Sequence, residues 1–323
     1  MSKDLSEWRS PDGQANALAL RATHPGVFAA LGEFDRMGHL TLRRATEGGA
    51  IDTIEGLVGI ALLRRAATVF AGLRQLLETS LPDPAVVLLR TYFEIWLQYR
   101  CLAYGTLNPI SLETQTTRQD REPRATRFYL ASLRRGLRSR ALIVGPESRH
   151  AADSPEGAAR LEEELRGEIE RLRETFPDEW EYFGDLDEHA LVRRIVGREE
   201  PAWFADLIEP RPSSSIAALA GALGATWEYD FLYEAWSAFA HGRGISKDLS
   251  REGEKMGVHH PHRPTWFELV AFLTLSWHGL LLITAAKWLT PVMVPQLQDL
   301  YTTHRDAMNA IEVDADVYKD FID

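Results

Sequence analysis

Two runs of helical periodicity separated by the breaker Leu81-Pro82-Asp83-Pro84 constrain this chain more than anything else in it. From about Thr53 to Thr79, apolar residues recur at three- and four-residue steps: Leu57, Ile60, Ala61, Leu63, Ala67, Val69, Phe70, Leu73 and Leu76. That spacing predicts a long helix with a wide apolar face. A second helix is expected from about Ala85 to Tyr104, ending at Gly105 and Asn108-Pro109. Joined by so short a connection, the two must run antiparallel, which makes a long hairpin the nucleus of the fold.

No alternating strand run bounded by turn residues stands out in the rest of the sequence. Pro201 to Ser215, with its EPRPSSS core, reads as a loop, and helices are expected over about Ser215–Leu223, Thr226–His241 and Thr265–Leu289. Pro291 and Pro295 stop the last of these, and the tail from Gln296 to Asp323 predicts one more polar surface helix. Between the two apolar halves lie segments of opposite charge. Arg118 to Arg140 holds eight arginines against Asp120 and Glu122, whereas Glu156 to Glu188 holds thirteen acids against four arginines. The acidic segment suits a solvated helix laced with Glu/Arg pairs. The arginine segment either lines a phosphate groove or pairs with its acidic neighbour. The expected architecture is a single all-α domain over residues 1–323, with a helical-bundle core at 52–105 and 215–290, a charged helical insertion at 110–200 and a polar C-terminal helix at 296–323.

Charge limits the partners. With 36 Lys and Arg against 47 Asp and Glu the net charge is −11, so no chain-wide basic field attracts nucleic acid or an anionic membrane, and a polyanion site must be local. One cysteine, Cys101, forms no internal disulfide, and the polar start MSKDLSEW lacks the plan of a secretory signal, so a cytoplasmic protein is expected. Leu269 to Ala286 reaches the minimum length of a membrane span but carries Ser276, His278 and Gly279, and is read as a buried helix, with His278 a core histidine and no membrane partner.

Polar residues interrupt two otherwise apolar helices. Arg90 and Glu94 stand one turn apart in AVVLLRTYFEIWLQYRCLAY, and Gln98 and Cys101 continue their line. Charges in such surroundings need partners or a wet cleft. Tyr229, Tyr233, Ser237 and His241 form a stripe at four-residue steps in WEYDFLYEAWSAFAHG. His241 would sit in a final turn, where the helix dipole favours imidazolium while neighbouring Arg243 opposes it. If the stripes face each other, Arg90, Glu94, Tyr233, Ser237 and His241 converge as a phosphate site: a guanidinium fork, a proton-moving imidazole and an orienting carboxylate. The alternative is a satisfied polar core that fixes helix register. His259, His260 and His262 cluster in VHHPHRP, but adjacent imidazoles diverge on regular structure, and no metal is expected there. Neither a Walker loop nor a dinucleotide fingerprint is present, and Ser237 lacks a Gly-x-Ser-x-Gly elbow, so no cofactor is expected.

ALLRRA at Ala61–Ala66, VLLRTYFE at Val87–Glu94 and YEAWSAFAHG at Tyr233–Gly242 resemble an uncharacterised bacterial helical family, one of the domain-of-unknown-function groups. The likeness covers about Asp52–Tyr104 and Thr226–His241 and does not reach the charged insertion. The ending AFAHG also resembles the helix ends of HEPN proteins, all-α dimers that include metal-independent ribonucleases of toxin and phage-defence systems. Their hallmark is an arginine four to six residues before the histidine. Here positions 234 to 237 are Glu, Ala, Trp and Ser, so Arg90 would have to supply that cation from the other helix. The resemblance implies a homodimer acting on RNA or another phosphate-containing ligand. On this reading His241 is acid/base, Arg90 clamp and Glu94 orienting carboxylate, with Tyr233 and Ser237 as hydrogen-bonding support. The competing expectation is a non-enzymatic helical scaffold whose charged insertion recruits a protein partner.

Overall fold

A computed structural model describes residues 11–105, 121–132, 154–175, 177, 203–208, 213, 215–230, 249–252, 255–258 and 264–309. The protein is all-α. Among the described residues its helices are α1 (Pro11–Thr23), α2 (Pro25–Glu47), α3 (Ile54–Glu78), α4 (Pro82–Tyr104), α5 (121–132), α6 (Pro155–Thr175), α7 (Ile216–Ala222), α8 (Thr226–Glu228), α9 (Pro264–Leu289) and α10 (Val294–Asn309); the rest of the helix expected over Thr226–His241 lies, beyond Asp230, outside the described residues. A two-stranded antiparallel ribbon departs from the helical expectation: Leu249–Glu252 pairs with Lys255–Val258, Leu249 opposite Val258.

The expected hairpin is present, and its turn has a local cause. Ser80 adopts φ +57°, the Leu81 amide donates to the Leu76 carbonyl at 2.8 Å, and the Ser80 amide donates to that of Leu77 at 3.0 Å. This is a Schellman closure with serine in the left-handed position usually held by glycine. Helix α4 starts at Pro82, three residues earlier than expected, because proline is at home in a first turn that needs no amide donor. Helix α3 begins where the Thr53 hydroxyl accepts from the Gly56 amide at 3.1 Å. A Cβ at Gly56 would overlap the Ala50 carbonyl, so only glycine lets the preceding 3-10 turn fold back on this helix.

The chain divides into two compact units. One comprises Met1–Gly48, Ala61–Tyr99 and Ala225–Asp323, and the other Gly49–Ile60 and Arg100–Gly224. In the first, α9 packs on α2 and α10, which also touch each other. Helix α2, to which the sequence reading assigns no role, supplies core residues Val27, Ala30, Leu31, Phe34, Met37 and Ala45. Close approach of α9 depends on Gly279, where a Cβ would strike the Tyr301 ring. Aromatic pairs bind α4 to α9: Phe93 and Trp277 tilted at 5.1 Å, Trp96 and Trp277 stacked at 5.9 Å, Tyr99 and Trp288 edge-on at 5.4 Å.

Among the described residues two helical stretches, Ile54–Glu78 and Phe267–Leu289, are long and apolar enough to cross a bilayer; 56% and 83% of their apolar windows are buried inside the protein.

In the second unit the arginine segment turns its described cations inward. Arg121 pairs with Glu55 at 3.1 Å, both mostly buried, and Arg124 is buried beside Glu122 in the sequence. Helix α6 is the solvated acidic element its composition predicts: Glu156, Glu163, Glu164, Glu170 and Glu174 are exposed. Arg160 pairs with Glu164 at 3.5 Å and Arg171 with Glu168, as the Glu/Arg spacing predicts, and Glu168 also accepts from the Tyr129 hydroxyl of α5 at 3.4 Å. Burial pushes the Cys101 thiol up to about 12, so this sulfur stays protonated and inert.

Candidate functional site

Arg90 and Glu94 lie on one side of α4, a turn apart, with Arg90 Nε 3.8 Å from Glu94 Oε1. Their side chains are 21% and 33% exposed, while Leu89, Tyr92, Phe93 and Ile95 around them are buried. The pair meets water at the margin of a greasy helix, and the carboxylate balances the guanidinium without a tight fork. Water therefore reaches an arginine on the half-exposed side of a helix whose opposite side is buried. Gln98 is half-buried further along this side, and Cys101 is fully buried. Tyr233, Ser237 and His241 fall outside the described residues, as do His259, His260 and His262. Among the described residues no group of His, Cys, Asp or Glu has the arrangement of a metal site.

A second polar centre lies two residues along α4, in the core. The Tyr92 hydroxyl and His278 Nδ1 of α9 are 2.6 Å apart, and both side chains are fully buried. The imidazole stacks on Phe70 of α3, with centroids 3.7 Å apart and planes 12° apart, and meets Phe34 of α2 edge-on. Burial pushes the Tyr92 phenol well above its ordinary pKa, so it keeps its proton, and the hydroxyl and Nδ1 share one hydrogen bond whose donor is set by the imidazole tautomer. Burial lowers the His278 imidazole from 6.5 to about 3; the Phe34 carbonyl opposes that shift and His39 adds weakly to it. Nε2 faces α2 at Gly38, where a Cβ would stand 3.3 Å from it. A neutral ring enclosed by α2, α3, α4 and its own helix α9, and shut off from bulk solvent, can fix register but does not exchange protons readily with the solvent. His278 thus takes the core role the sequence predicts for it.

Further polar groups surround α2, and the sequence reading names none of them. Arg74 of α3 donates through Nη1 to Asp35 at 2.7 Å and through Nε to Glu78 at 2.8 Å, and these carboxylates raise its pKa, the Glu78 hydrogen bond most. His304 of α10 meets Glu33 at 2.9 Å, and His24 meets Glu268 of α9 at 3.1 Å. The available signal was the period Val27, Ala30, Leu31, Phe34, Met37, Thr41, Ala45, which defines a buried stripe with these polar groups along its edges.

The model of one protein family, described as a family of unknown function (DUF5677), matches residues 56–256. The match contains most of both motif-bearing segments and continues through the charged stretch between them, which the short motifs do not reach. Neither a curated protein nor a solved structure matches.

Proposed function

We propose that this chain, which belongs to the DUF5677 family, is a HEPN-like protein of the bacterial cytoplasm that acts on RNA in a defence or toxin role. The observation that carries the reading is the Arg90–Glu94 pair: a guanidinium and a carboxylate one turn apart, reached by water, on a helix that buries Leu89, Tyr92, Phe93, Ile95, Trp96 and Leu97 around them. Arg90 clamps a phosphate, Glu94 orients an imidazole, His241 moves the proton, and Tyr233 and Ser237 hydrogen-bond around them. In metal-independent cleavage the ribose 2′-oxygen attacks phosphorus and the bond to the 5′-oxygen breaks. The proton lost by the first oxygen is matched by one delivered to the second, and His241 serves one of these transfers. A homodimer formed through aromatic-rich helices is part of the proposal.

Purified full-length protein incubated with a cellular RNA pool in chelator should degrade it, and Arg90→Ala and His241→Ala should each stop the degradation. Intact RNA with the unaltered protein overturns the proposal.

A second reading, a helical interaction module that recruits a protein partner through its charged insertion, is favoured by the enclosed Tyr92–His278 pair, a polar contact of α4 with a purely architectural role. Melting separates the two. If Arg90 and Glu94 also serve register, Arg90→Ala and Glu94→Ala lower Tm strongly; if they serve chemistry, Tm is unchanged or rises.

A further inference from the structure

The arginine segment that attracts attention in the sequence is turned inward where it is described, yet the first unit carries exposed arginines elsewhere. Along α2 from Arg36 to Glu47 the only carboxylate is Glu47, and along α3 from Ala61 to Gln75 there is none. Arg36, Arg43, Arg44, Arg64 and Arg65 are all exposed. Arg36 and Arg43 are seven residues apart, so they share one side of α2, opposite Phe34, Met37 and Thr41, with His39 between them. The two helices are brought together by the 2.7 Å bond between Arg74 and Asp35 and by Phe34 and Phe70, which meet the same imidazole. The short connection from Glu47 to Ile54 makes them antiparallel, which sets Arg64 and Arg65 level with the Arg36–Arg44 half of α2.

The nearby carboxylates leave this charge largely uncancelled. Asp35 and Glu78 are engaged by Arg74, Glu33 by His304, and Glu47 is shared by Arg43 and Arg44. Among the described residues Arg36, Arg64 and Arg65 form no ion pair. In a chain of net charge −11, such a face is a local reversal of sign.

We infer that the exposed α2–α3 face docks the phosphate backbone of RNA. Phosphate contacts need cations and no shape, whereas protein interfaces are anchored by buried aromatic side chains and membrane surfaces by inserted apolar ones. The exposed large apolar residues, Leu18, Ile51, Val87, Trp227 and Val292, all lie off these two stretches. Contacts to the phosphate backbone carry no base information, so the face holds RNA without regard to sequence. It takes its ligand class from the proposed function but not its residues: Leu88 lies against Gly72 of α3, and Arg90, two positions further on, points to the far side of α4.

The test is fluorescence anisotropy of full-length protein with labelled oligouridine between about 50 and 200 mM salt. The Arg36→Gln/Arg64→Gln/Arg65→Gln variant should weaken binding at least tenfold at the low-salt end. The slope of log affinity against log salt should fall by about 2, at about 0.7 per phosphate contact on a single strand. If the triple variant fails to melt cooperatively, Arg64→Gln alone should lower the slope by about 0.7. An unchanged slope overturns the inference, as does tighter binding of the unaltered protein to polyglutamate or to phosphatidylserine vesicles than to oligouridine. Oligouridine binding without RNA cleavage keeps this face and removes the Arg90 site; cleavage with an unchanged slope does the reverse.

Discussion

Arg90 and Tyr92 stand two residues apart on α4 and live in opposite worlds. Arg90 and its partner Glu94 are 21% and 33% exposed at 3.8 Å, while Tyr92 and its partner His278 are sealed from solvent at 2.6 Å. Two residues turn a helix by about 200°. A polar residue in an apolar helix therefore does not announce a site; the phase at which it stands decides whether it meets water or the core. One pair is available for chemistry, the other for holding helices in register.

The comparison is broken most directly at His278. His278→Ala removes a ring stacked on Phe70 and leaves the Tyr92 hydroxyl buried without its partner, so a loss of about 3 to 5 kcal/mol is expected in urea unfolding. A loss below about 1 kcal/mol would show that the core does not depend on this contact. The same residue sets a pH dependence. In the unfolded chain the imidazole binds a proton below about 6.5, whereas the folded protein keeps it neutral down to about 3. The unfolded state holds the extra proton throughout that window, so stability falls by about 1.4 kcal/mol for each pH unit below 6.5 and levels off near 3. Measured against His278→Gln, the advantage of the unaltered protein should shrink as the pH falls through this window. An advantage constant from pH 6.5 to 4 would contradict a neutral buried ring. Tyr92→Phe comes next: it leaves Nδ1 without its hydrogen-bond partner but keeps the volume, and should cost about 1 to 2 kcal/mol in the same unfolding experiment.

The two regions also differ in how far the sequence reveals them. The α3–α4 hairpin and α9 were legible because their periods are strong and their ends carry prolines and glycine; observed limits fall within a few residues of the expected ones. His278 as a core residue was legible from its apolar neighbours. Helix α2 was not recognised although it supplies Phe34 and the wall at Gly38, because glycines at 26, 32 and 38 imitate a breaker pattern. Gly38 is there for closeness: its missing side chain lets His278 approach the helix backbone. The pairing of Tyr92 with His278 spans 186 positions, and helical phase alone ties neither residue to the other. The phase of Arg90 and Glu94 was legible as a shared side of α4, but its wetness depended on packing that a single helix does not encode.

The smallest expected effect sharpens the comparison most. Arg90→Ala should change unfolding stability by less than about 1 kcal/mol, since a partly exposed ion pair one turn apart loses little when cut. Arg90→Gln keeps two of the three methylenes of that mostly covered side chain and should be closer still to the unaltered protein. The informative result is the pairing of two readouts on the same samples. Stability preserved with RNA degradation lost assigns Arg90 to ligand and leaves register to Tyr92 and His278. A fall of more than about 2 kcal/mol in both variants would instead place the guanidinium in the same architectural class as the imidazole, because only an enclosed charge left without its partner costs that much. The helix would then have two structural sides and no site, and the search for chemistry would move off α4.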